Sequence, residues 1–158
     1  MKISAPSALS RNWGEEVIFA ETPTHAGKLL RRKAGTKGGY QLHVKEETHF
    51  LHEGALRLRW QDEQGVERTQ CVSVGDVWTV PPGTVHQEEA LEDSLIIEVG
   101  DPTSEDRYAI TPDPGGLPSM TDAEAIEKLS ALQRAFTARA EDCAMLRRRI
   151  ATSGLKAL

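Results

Sequence analysis

Cysteine is almost missing from this chain. Two in 158 residues, Cys71 and Cys143, are too few for a disulfide framework, and their spacing matches no zinc or thiol-redox pattern. Two reduced thiols fit a cytoplasmic protein, and that is the expected location. Long apolar runs are missing too. Met1-Lys2-Ile3-Ser4-Ala5-Pro6 has no apolar leader region, and no stretch approaches the 18 or so apolar residues of a membrane span. Nor is there a concentrated basic stripe, which sets nucleic acid aside as a partner. Residues 1–120 carry 12 Lys+Arg against 19 Asp+Glu, and residues 121–158 carry 7 against 5. Apolar residues with glycine included make about 46% of the chain, inside the ordinary globular range of roughly 45–50%. The length fits one domain with one core.

From Glu15 to Val99 the pattern is short and strand-like. Ala55-Leu56-Arg57-Leu58-Arg59-Trp60 alternates apolar and charged residues, as a half-buried strand does. Asp62-Glu63-Gln64-Gly65 reads as a hairpin turn, Val66 to Val74 as the returning strand, and Ser94 to Val99 as a further strand. Many short strands with Gly/Pro turns between them predict an all-β sandwich or barrel. A doubly wound sheet is excluded because βαβ alternation is missing.

The expected domain plan is a barrel with an N-terminal arm over 1–112, a Pro/Gly linker over 113–120 and an amphipathic helix over 121–154. Thr121 with Glu124 is a capping-box pattern. Ile126, Leu129, Leu132, Phe136, Ala140, Cys143, Leu146 and Ile150 then recur at steps of three and four. Acids lead the segment and Arg147, Arg148 and Arg149 close it, in the sense the helix dipole favours. The stripe either docks on its own barrel or forms a seam for a second chain. A homodimer is the expected assembly.

The stretch richest in chemistry runs from Gly35 to Glu47. Residues two apart on a strand share a face, so Gln41 and His43 point the same way, and Glu47 can return to that face after a bend. His86 follows the tight Pro81-Pro82-Gly83 turn, which aims it back across the barrel. Gln41, His43, Glu47 and His86 make a mixed N/O set suited to one divalent ion, whether Zn, Mn, Fe, Co or Ni. Four protein ligands on a six-coordinate ion leave two positions open.

At these residues the chain resembles the cupin superfamily. Gly35, five residues, Gln41-x-His43, three residues, Glu47, six residues, Gly54 is similar to the first cupin motif, with Gln in place of the first His. Gly75, five residues, Pro81-x-Gly83, two residues, His86 is similar to the second. The resemblance covers about residues 12–100. It implies a cupin-type double-stranded β-helix (a jelly-roll barrel) holding one metal on those four side chains, here followed by the long C-terminal α-helix. The Gln-x-His variant, with Arg11-Asn12-Trp13-Gly14, Ala26-Gly27-Lys28 and Ile97-Glu98-Val99, resembles the type II mannose-6-phosphate isomerases. The chain departs from that group at His49, Gln87 and Ala90, where it usually has Trp, Arg and Asn.

That resemblance implies a metal-dependent aldose–ketose isomerase acting on a sugar or sugar phosphate, a carbohydrate being the expected small-molecule partner. The alternatives are an Fe- or Ni-dependent cupin dioxygenase and a non-catalytic small-molecule binder. Isomerisation needs an acid/base near a polarised carbonyl. By strand parity His49 looks into the barrel beside Glu47, and imidazole titrates in the useful range, which makes it the acid/base candidate. The alternatives for His49 are a hydrogen bond that orients a neighbour, or a ligand in place of Gln41. Lys33 is a candidate for steadying an oxyanion or a phosphate, and Glu98 and Glu88 for acting as bases or orienting an imidazole. His52, on the opposite parity, is expected at the surface. Trp13, Trp60 and Trp78 are expected to close the barrel.

Overall fold

The computed structural model describes residues 3–43, 45–102 and 107–109. The linker over 113–120 and the helix expected over 121–154 lie outside the described residues, as does the end of the barrel segment set at 112. Eleven strands follow one another: β1 (Ser7–Arg11), β2 (Gly14–Glu21), β3 (Ala26–Arg32), β4 (Gln41–His43), β5 (Glu47–Glu53), β6 (Ala55–Gln61), β7 (Glu67–Ser73), β8 (Val77–Val80), β9 (His86–Ala90), β10 (Ser94–Gly100) and β11 (Arg107–Ala109). They form two sheets, ordered β1-β2-β3-β10-β5-β8 and β11-β4-β9-β6-β7, with every named pairing antiparallel. This is the expected all-β double-stranded β-helix. Among the described residues no helix is long and apolar enough to cross a membrane.

The expected hairpin lies between β6 and β7, each strand within a residue or so of its predicted limits. Asp62 Oδ1 accepts from the backbone N–H groups of Gln64 at 3.0 Å and Val66 at 2.9 Å. A carboxylate thus caps the turn in the way Asp commonly does. Gly54, which closes the first motif, has φ +87°, and a Cβ there would lie 2.3 Å from Ser94 Oγ and 2.4 Å from the Asp93 carbonyl oxygen. Only glycine fits both the left-handed conformation and that approach.

The interior is layered along the strands. Leu30, Leu51, Leu56, Val72, Ala90 and Ile96 form the buried apolar layer, with Trp13, Leu58 and Trp78 packed against it. One step of two residues along the same inward faces, the chemistry changes. On β5 the inward side chains run Glu47, His49, Leu51; on β9 His86, Glu88, Ala90; on β10 Glu98 follows Ile96. Registers place Lys28 opposite Glu98, Glu98 opposite His49, and His49 opposite Trp78. An apolar floor therefore carries a charged layer above it, and that layer positions the site.

Candidate metal centre and its charged wall

The four predicted ligands come from three strands. Gln41 and His43 sit at the two ends of β4, Glu47 opens β5 and His86 opens β9. Gln41 and His86 are direct register partners, so their side chains leave the sheet on the same side. All four line one polar cavity of about 150 Å³. Donor atoms of His43, Glu47 and His86 lie within 4.8 Å of one another, as do those of Glu47, His49 and Glu98, and all five residues are buried.

Backbone carbonyls set the tautomer of both imidazoles. His43 Nδ1 donates to the Lys45 carbonyl oxygen and His86 Nδ1 to the Thr84 carbonyl oxygen, each at 2.9 Å. A carbonyl only accepts, so Nδ1 carries hydrogen in both rings, and in the neutral imidazole Nε2 is left as a lone pair. The rings meet edge to face, centroids 4.9 Å apart. His43 Nε2 lies 2.8 Å from Glu47 Oε2 and is buried without a hydrogen-bond partner. A lone pair facing a carboxylate oxygen at that distance, away from water, is an unfavourable arrangement unless a proton or a metal cation lies between them. The residues present therefore fit a divalent ion, by donor chemistry and by this orphaned nitrogen.

Charge in the site is set by burial and by neighbours. Burial alone raises Glu47, but the His43 imidazole, then Lys45 and His49, hold it well below the usual carboxylate range. Burial, and after it the charge of His43, pushes His86 down to about 4, which keeps its Nε2 available as a donor. His49 moves the other way: burial lowers it, and Glu88, Glu98 and Glu47 together outweigh burial and raise it. Its ring stacks on Trp78, centroids 5.1 Å apart and 7° from parallel. Its Nε2 lies 3.7 Å from Glu98, 3.8 Å from Glu88 and 3.9 Å from Glu47.

A ring of buried ion pairs surrounds these groups. Lys28 Nζ lies 3.1 Å from Glu98 and 3.2 Å from Glu16. Lys45 pairs with Glu47 and lies 3.5 Å from Glu98. Arg11 reaches Glu16 at 2.7 Å. Arg32 donates to Glu88 at 2.8 Å with its guanidinium carbon 4.5 Å from the Trp13 ring centroid. Burial opposes the charge on Lys28, but Glu98 and Glu16 outweigh it and push the ammonium up to about 12. Removing one partner of a buried pair leaves the other charge stranded, typically at a cost of about 3–5 kcal/mol. Lys28→Met is accordingly expected to destabilise the fold by about 3 kcal/mol, Lys45 and Arg11 still partnering the two carboxylates. Urea unfolding measures it, and a loss below about 1 kcal/mol contradicts the pairing.

His49, Glu98 and Glu88 thus stand inside the barrel, in the wall of this cavity. His52 is half exposed at the surface, and Trp13 and Trp78 pack on the core. Lys33 does not join them. It follows the end of β3 on the outward parity, is exposed, and borders a surface groove with Arg31 and Asp93. Besides the part-exposed Arg11, the cations that face the cavity among the described residues are Lys28, Arg32 and Lys45, none of which sequence reasoning assigned to the site. Parity on Lys28-Leu29-Leu30-Arg31-Arg32 was the available signal for the first two. A second, more apolar cavity of about 500 Å³, lined by Leu58, Trp60, Val72 and Trp78 among others, shares His86 and Glu88 with the polar one.

Fold and side chains together define a cupin-type barrel with a buried N/O donor set and a charged wall. Solved structures agree on the fold. An oxalate decarboxylase from Bacillus subtilis superposes with a TM-score of 0.61 at 23% identity over 68% of this chain and 32% of that one. A second structure of that enzyme, from a study of its Mn(II) centres, gives 0.61 at 22% identity over the same shares. The chain thus spans about a third of the length of those proteins. No protein-family model and no curated protein sequence matches it.

Proposed function

We propose that this protein is a metal-dependent enzyme that moves a proton within a small polyhydroxy substrate, an aldose–ketose isomerase on the cupin scaffold. One observation carries the reading: a buried imidazole, His49, stands beside the ligand Glu47 with its Nε2 turned to the carboxylates of Glu98 and Glu88. A divalent ion held by His43, Glu47, His86 and Gln41 would polarise a carbonyl oxygen and spread enediolate charge. His49 accepts the proton from one carbon and returns it to the neighbour, while the hydroxyl proton passes between the two adjacent substrate oxygens. Glu98 and Glu88 balance the imidazolium while it carries that proton. Against burial, His49, then Lys28 and Lys45, hold Glu98 low, and His43, then Lys45, do the same for Glu47. Trp60 and Leu58, in the adjoining cavity, offer apolar surface to the carbon side of a sugar.

The test is isotope exchange. Protein purified without added ions is analysed for metal, then given trioses, pentoses and hexoses, free and phosphorylated, in D₂O. Deuterium entering the carbon next to the carbonyl, together with ketose formation, is the expected result. A metal-loaded protein that exchanges no carbon-bound hydrogen with any of them counts decisively against the isomerase.

A second reading, cleavage of a small carboxylate, is favoured by a different observation: Lys28, Arg32 and Lys45 line a cavity of only about 150 Å³. A cavity of that size holds a molecule about as large as benzene. The solved structures on the same fold include oxalate decarboxylase. Carbon dioxide release, with or without oxygen consumption, separates this reading from isomerisation.

A further inference from the structure

The outer face of the six-stranded sheet carries an apolar band that runs straight across the strands. Registers place Val17 opposite Leu29, Leu29 opposite Ile97, Ile97 opposite Phe50, and Phe50 opposite Val77. Direct partners in a sheet project to the same face, so these five side chains form one row over five adjacent strands. All have outward parity, since Lys28, Leu30, Glu47, His49, Leu51, Ile96 and Glu98 take the inward positions on the three central strands. Phe19 and Val99 widen the row. A Cβ on Gly27 would lie 2.5 Å from the Phe19 ring, so the missing side chain at 27 lets that ring lie against the sheet. Val77 is 62% exposed, Phe19 49%, Val99 48% and Phe50 36%. The next row is Glu15, Arg31, Leu95 and Glu53, charged except at Leu95, with Glu15 paired to Arg31 at 3.4 Å. Single apolar residues at a surface need no explanation; a contiguous band with a polar border marks a contact face.

We propose that this face is the dock for the chain's own C-terminal segment, residues 121–150. Two surfaces need burial and each matches the other. The segment carries the stripe Ile126, Leu129, Leu132, Phe136, Ala140, Cys143, Leu146 and Ile150. At 1.5 Å per residue a helix from 126 to 150 is about 37 Å long. Six strands at about 4.8 Å spacing are about 24 Å wide, so such a helix laid across the strands spans the band. The reach is sufficient as well. From Ala109, the end of β11, residues 110–120 extend up to about 36 Å. Charge agrees: the segment from 121 on is net basic, and the rest of the chain net acidic.

Trypsin cleavage within the full-length protein tests the dock, followed by mass spectrometry at Lys128, Arg134 and Arg139, with molar mass from light scattering. The wild type is expected to be cleaved slowly there and to have the monomer mass, in place of the homodimer expected from the sequence. Val77→Glu and Phe50→Glu, both on the outer face, are expected to speed cleavage at least tenfold with unchanged mass. Val77 is the safer of the two for folding because it is the more exposed, and circular dichroism confirms the barrel in each. Equal cleavage rates in wild type and variants overturn the proposal. So does a dimeric wild type that Val77→Glu converts to monomer, which would assign the face to a second copy.

Discussion

Replacing His49 with asparagine is expected to lower turnover by about 10²–10⁴-fold, the range a positioned general base supplies, while metal stays at the wild-type stoichiometry. The ring is not among the four expected ligands, and its Nε2 stands 3.7–3.9 Å from three carboxylates. Asparagine keeps a polar side chain against Trp78 but cannot carry a proton at neutral pH. Isotope exchange in D₂O should fall in parallel with turnover, because the same proton is followed in both. Metal content by plasma mass spectrometry separates this from ligand loss. Should His49→Asn exchange deuterium at the wild-type rate, the proton is handled elsewhere, and Glu98 becomes the leading candidate.

His43→Ala has the second large effect: metal affinity falls by at least about 100-fold. Loss of a group that merely supports a ligand already costs 10–100-fold, and His43 supplies a donor atom directly. The variant also strands Glu47 Oε2, which faces His43 Nε2 at 2.8 Å, although Lys45 still partners that carboxylate. A moderate fall in thermal stability therefore accompanies the metal loss, and added metal should stabilise the wild type but not the variant. Equal thermal shifts with metal in both proteins would place the ion away from His43.

Much of this was legible in the chain because strand parity is a local rule. Glu47, His49 and Leu51 point inward and Thr48, Phe50 and His52 outward, as alternation requires. The hairpin at Asp62–Gly65 and the turn at Gly54 were legible for the same reason, since turn chemistry is written within a few residues. Lys33 shows where that reading ran out. One residue past the strand end, its direction depends on where β3 stops, and the structure ends it at Arg32. The inward cations then become Lys28 and Arg32. Lys45 was equally hidden, since it lies between strands, where periodicity gives no direction.

The apolar outer band illustrates the same division. Val17, Leu29, Phe50, Val77 and Ile97 are unremarkable one at a time, and only cross-strand register makes them a row. Sequence alone determined the all-β barrel and nominated the donor residues, because both follow from spacing over a few positions. Tertiary structure alone decided which charges meet in the cavity: Lys28 with Glu98 and Glu16, Arg32 with Glu88. Those partners are 12 to 70 residues apart in the chain, and their pairing depends on strand order, which no local pattern encodes.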